Sequence, residues 1–168
     1  ILVLPDGDIV AVGQFARSGP GRPGSLSSVA RFHAGVWQSM GSGVGGRNTY
    51  ALAVNAAVLD RQGRVVIGGA FETADGRPAA RLARWDGTTW EPLASSVEQG
   101  PTSERSAVRA LAVTARGDLV AAGNFAGVDS VVSPFMAWRP AGQDPWIAEM
   151  PRPAVVDPGG EAVFEARP

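Results

Sequence analysis

The chain has 168 residues, 22 of them Gly and 13 Pro, with 45% hydrophobic residues and a formal net charge of −1. That is one ordinary domain's worth of sequence, with no Gly-X-Y period for a collagen and too much Val, Leu and Trp for a disordered chain. The near-neutral balance offers no basic surface for nucleic acid or anionic lipid, and the absence of Cys excludes disulfides, thiolate metal sites and cysteine nucleophiles.

The first elements are a short apolar strand at 1–3, a turn on Gly7, and a strand in DIVAVGQF at 8–15. A third and a fourth strand follow in VARFHAGVW at 29–37. The same series then returns. A strand at 52–54 and a turn on Gly63 lead into RVVIGGAF at 64–71, followed by LARWDGTTW at 82–90. A third series has a strand at 111–113, a turn on Gly117, DLVAAGNF at 118–125 and MAW at 136–138, with its last Trp displaced to Trp146. Asp86-Gly87 predicts a type I′ hairpin turn between the third and fourth strands. The second strand is apolar on consecutive residues, which predicts burial on both faces. The longest nearly apolar stretch, 51–59, is broken by Asn55 and too short to span a bilayer, so membrane insertion is not expected.

A unit of about 50 residues with four antiparallel strands predicts an all-β fold, a β-propeller fragment of about three blades in an open arc. The blades fall at 1–49, 50–107 and 108–150. The Pro-rich segment 151–168 is a linker or tail, resembling the opening strands of an immunoglobulin-like domain. Gly13, Gly69 and Gly123 are expected to allow close backbone packing where blades converge. Phe32, Trp37, Trp85 and Trp90 are expected to fill the space between blades. Arg31 and Arg84, beside those aromatics, suggest salt bridges or cation–π contacts from blade to blade.

The GGxF run at 68–71 followed by ARWDGxxWxxL at 83–93 resembles the Kelch-like propeller repeat of secreted bacterial proteins. It is similar also to fungal cortical polarity-marker blades and, in its second strand, to delta-60 repeats. The resemblance implies a propeller and a secreted or cell-surface location, and it supplies no catalytic residues. The chain begins at Ile1 in mid-strand fashion, so it reads as a piece of a longer protein whose remaining blades are its first partners.

In such a blade the long connections, 16–28, 72–80 and 126–133 with 41–49 and 97–107, gather at one end, where binding usually resides. Arg17, Arg22, Arg47, Arg77 and Arg105 are the candidate contacts there for a protein or glycan ligand. The remaining motifs carry less. The GSGVGG run at 41–46 lacks the strand and helix that a dinucleotide site needs. Arg116-Gly117-Asp118 sits in a turn whose flanking charges vary between copies. His33 has no triad spacing, and Asp6 and Asp8 are replaced by Gln62 and Arg64 in the next copy. No catalytic residue, cofactor or metal is expected. The rival to a non-catalytic binding module is a fragment of a propeller oxidase or lyase whose active site lies on other blades. A Cys–Tyr copper centre is excluded within this piece, which has no Cys and one Tyr, Tyr50.

Overall fold

The computed structural model describes residues 1–17, 26–46, 53–100, 106–129, 131–132 and 134–141, with backbone alone at Ala16, Arg17 and Leu26. The fold is all-β, and the described residues contain no helix. Gly, Val and Thr disfavour helix, and the period-2 burial of strands fixes which side chains meet.

The first sheet is β1 (Leu2–Val3), β2 (Ile9–Arg17), β3 (Leu26–His33) and β4 (Val36–Ser39), in that order and all antiparallel. β5 (Val44–Gly45) follows in the connection to the second sheet. That sheet runs β6 (Val54–Leu59), β7 (Val65–Gly69), β10 (Leu82–Trp85) and β11 (Trp90–Pro92). The third is built on β13 (Ala107–Val113), β14 (Leu119–Val128) and β16 (Met136–Arg139). β7 is buried at every residue, as its unbroken apolar run requires.

Each first turn is the same object. Leu4, Asp60 and Thr114 each donate a backbone N–H across the turn, and Gly7, Gly63 and Gly117 close it in the positive-φ region at 87°, 75° and 90°. A residue with a Cβ is strained there, which is why glycine recurs.

Two apolar clusters fill the gaps between sheets. Val10, Val29 and Met40 of the first sheet pack against Val65, Ile67 and Trp90 of the second. Val66, Leu82 and Leu93 on its other face meet Val108, Leu119, Ala121 and Phe125 of the third.

Several expectations change. The second copy's first strand is Val54–Leu59, so 57–59 rather than 52–54 is the segment in register with 111–113. Gly69 and Gly123 do serve close approach, but inside their own sheets. A Cβ on either would strike the carbonyl oxygen of Ala53 or Ala107 on the neighbouring bulged strand. Gly13 faces only the ring of Phe15, whereas Gly68 is pressed against Val108 of the next sheet. The Asp86-Gly87 hairpin exists without a type I′ turn, because Asp86 keeps an ordinary φ and its carboxylate accepts the amides of Thr88 and Thr89 at 2.7 Å. Paired positive φ values occur instead at Ala34-Gly35 (48° and 80°) and at Asp75-Gly76 (47° and 71°).

The long connections are also more ordered than the sequence suggests. Residues 72–80 contain the hairpin β8 (Thr73–Ala74) and β9 (Arg77–Pro78), and β5 adds to its edge through Val44↔Ala74. In the third sheet β14 runs on to pair with β15 (Val131–Val132) and with β12 (Val97–Gln99), through Val97↔Val128. Each connector thus adds a strand to the hairpin of the following sheet. A carboxylate secures each junction: Asp75 accepts the Ser42 amide at 2.6 Å, and Asp129 the Ser95 amide at 2.7 Å. The segment 151–168 and Trp146 lie outside the described residues.

Candidate functional site

Of the candidate contacts chosen from sequence, Arg77 alone has a described side chain. Arg22, Arg47 and Arg105 lie outside the described residues, Arg17 is described in backbone only, and Arg77 stands exposed on β9. Much of the end they were assigned to is occupied by the connector strands pairing with the hairpins.

A cleft of about 270 Å³ opens elsewhere, between the second and third sheets at the end carrying the short first turns. Asp60, Arg61 and Arg64 bring the β6–β7 turn to its wall, Arg84 comes from β10, and Arg139 from the end of β16. Val66, Leu93 and Leu119 form its apolar lining. Four guanidinium groups and a single carboxylate therefore line one groove.

Local bonds place each group. Asp60 accepts the amides of Gln62 and Arg64 at 2.9 Å and the Arg64 Nε at 2.8 Å, which turns Arg64 back over its own turn. Arg84 donates Nη2 to Glu91 at 2.7 Å across the β10–β11 pair. Arg61 lies over Gly117, where a Cβ would collide with its side chain, and donates to the carbonyl of Arg116 at 3.3 Å. Arg139 donates to the carbonyl of Leu93 at 3.4 Å. Burial and then the neighbouring Arg84 charge lower the proton affinity of Arg139, against the opposing pull of Asp129. Guanidinium forks in a partly dry groove are suited to binding oxyanions, and nothing in this set is a nucleophile or an acid–base pair.

Arg31 and Arg84 both pair inside their own sheets rather than from sheet to sheet, Arg31 donating Nε to Asp8 at 2.5 Å and Nη2 to Asp6 at 2.7 Å. His33 is exposed beside Asp8, with Nδ1 at 2.8 Å from its carboxylate. Asp118 is buried, accepting Thr114 Oγ1 and the Ala141 amide at 3.0 Å, so the Arg-Gly-Asp tripeptide offers no outward carboxylate. The GSGVGG run passes through a turn with Gly41 and Gly43 at positive φ and then enters β5, and the described residues place no helix beside it. Among the described residues no group of three His, Asp or Glu side chains could hold a metal, and no helix is long and apolar enough to cross a membrane.

Sequence reasoning missed the cleft because it treated the charges flanking the turns as free to vary. The signal was present in the substitution of Asp8 by Arg64 between copies. No family model, no curated protein and no solved structure matches the chain.

Proposed function

We propose that each sheet is one blade of a β-propeller. The chain then forms three blades of an arc that further blades complete, in a non-catalytic binding or structural module of a secreted or cell-surface bacterial protein. The observation that carries this reading is a contrast between residues in corresponding slots. Trp90 is 0% exposed against the first sheet, while Trp37 is 43% exposed on the first sheet's outer face. At the other end, Leu82 is 0% exposed and Met136, in the same slot of the third sheet, is 49% exposed. The two outer faces carry the apolar residues that elsewhere in the molecule are covered by a neighbouring sheet.

The motif resemblance supports the extracytoplasmic setting. In this reading the strands are scaffold, and the surfaces between and beside them are presented to a protein or glycan. Sedimentation velocity over a concentration series tests it. The chain is expected to associate head to tail, because its two outer faces are the halves of one heterologous contact. Trp37→Lys is expected to leave monomers. A native chain that stays monomeric throughout the series overturns the reading.

A further inference from the structure

The first sheet packs on the second, and the second on the third, through junctions of related construction, and the cleft lies at the second of these. Their differences are informative. At the first, Asp8 immediately precedes β2, the third strand of that sheet supplies Arg31, and the facing strand of the second sheet supplies Trp85. At the second, the corresponding positions hold Arg64, Arg84 and Arg139. One guanidinium among two carboxylates and an indole has become three guanidinium groups, with Arg61 as a fourth.

The fold does not require this. The first junction packs on the same strand order with Asp8 and Trp85 in place, and its Arg31 is neutralised by Asp8 and Asp6. Gathering like charges in a partly dry groove opposes folding. The arginines are not simply solvated surface groups either, since the Arg64 and Arg84 side chains are 34% and 25% exposed.

We infer that this cleft binds a compact tetrahedral oxyanion, the phosphate or sulfate group of a ligand. Four guanidinium groups and the one carboxylate of Asp60 line the cleft, with Glu91 holding Arg84 from outside the lining and Asp129 drawing on Arg139, an excess of positive charge that suits an oxyanion. Arginine forks donate to such an anion from several directions, and the four come from three separate elements, which fixes position as well as charge. This names a ligand class for the binding-module reading. It rests on the second and third sheets alone, so the sedimentation result bears on the blade assignment and not on the cleft.

The test is thermal unfolding of the chain titrated with inorganic phosphate and with inorganic sulfate, against sodium chloride at matched ionic strength. Both anions also stabilise proteins generally by exclusion from the surface, so the saturable part of the rise in midpoint is the readout. Restoring the first junction's residues with Arg64→Asp and Arg139→Trp is expected to weaken that part at least about tenfold. Arg61→Gln, at an exposed side chain, gives a smaller loss without disturbing the sheets. Arg109→Gln, outside the cleft, leaves the response intact. A sulfated disaccharide binding more tightly than inorganic sulfate, with its unsulfated parent inert, identifies the source as an ester on a glycan; equal or weaker binding identifies the free anion. No saturable rise in the native chain, or an equal rise in the Arg64→Asp/Arg139→Trp and Arg61→Gln variants, overturns the inference.

Discussion

The indole Nε1 of Trp90 donates a 2.9 Å hydrogen bond to the main-chain carbonyl of Met40, crossing from the second sheet to the first in a fully buried setting. The ring stacks obliquely on Trp85, with centroids 5.1 Å apart, so one side chain fills the gap and satisfies a polar atom inside it. Phe32 and Trp37 repeat the ring pair at 5.2 Å.

Trp90→Phe keeps most of the packing and leaves the Met40 carbonyl with the Gly43 amide, at 3.2 Å, as its remaining donor. The expected loss is about 0.5–1.5 kcal/mol in urea unfolding, the net contribution of one hydrogen bond. Trp90→Ala adds a cavity and is expected to cost about 3–5 kcal/mol. A Trp90→Phe variant as stable as the native chain would show that the hydrogen bond contributes little.

Asp75 combines a positive φ with three bonds, to the Ser42 amide at 2.6 Å, the Ser42 hydroxyl at 3.1 Å and the Trp90 amide at 2.7 Å. Asp75→Asn retains the backbone preference and part of the bonding. Asp75→Ala loses both, with an expected cost of about 1–2 kcal/mol. Asp75→Gly should fall between them, because it relieves the φ and forfeits the acceptor. Amide hydrogen exchange at Ser42 and Trp90 is the direct measure, and should accelerate most in the alanine variant.

Gly69→Ala places a methyl group against the Ala53 carbonyl at the β6 bulge, where the neighbour is backbone and cannot step aside. A loss of about 1–3 kcal/mol is expected from overpacking. Gly13→Ala, where the Cβ would meet only the Phe15 ring, should be close to neutral. Chemical denaturation of the two variants side by side checks the contrast.

Partial burial works against the charge of Asp8, but its bonds to Arg31 and His33 prevail and hold the carboxyl below its ordinary value of 3.8. The sign follows from linkage. The folded form binds this proton less readily than the unfolded chain, so the contribution is present above the ordinary value and is lost as pH falls below it. The melting temperature should therefore fall steeply from roughly pH 4 downward. Asp8→Asn should melt lower at neutral pH and show a shallower acid decline, measurable by circular dichroism across pH.

Much of the strand series was legible because each strand core spans several residues and recurs with its turn glycine, as in 64–69 and 118–123. The junctions were not. Val44–Gly45 and Thr73–Ala74 are two residues each, too short for any period to register, and β5 finds its partner in a hairpin far along the chain. Asp75-Gly76 was the one local signal of that hairpin. Pro78 beside it obscured the signal by its usual disfavour for strand interiors, although here it sits at a strand end. The cleft was legible only as the exchange of Asp8 for Arg64 between copies. Its arginines come from a turn, a mid-strand position and a strand end, and only the packing of the second sheet on the third brings them to one place.

β5 completes the β8–β9 hairpin and β12 completes β14 and β15, so the second and third sheets are each finished by a strand that precedes them in the chain. The first sheet has the matching hairpin, with Ala16↔Ser27 and Arg17↔Leu26 in register, and the described residues pair no strand with its far edge. In the second and third sheets the corresponding edge takes a short extended segment from the connector ahead of it. The order of the described sheets therefore has a direction: each connector belongs to the sheet it enters, and separating the two would leave backbone amides without acceptors at the seam.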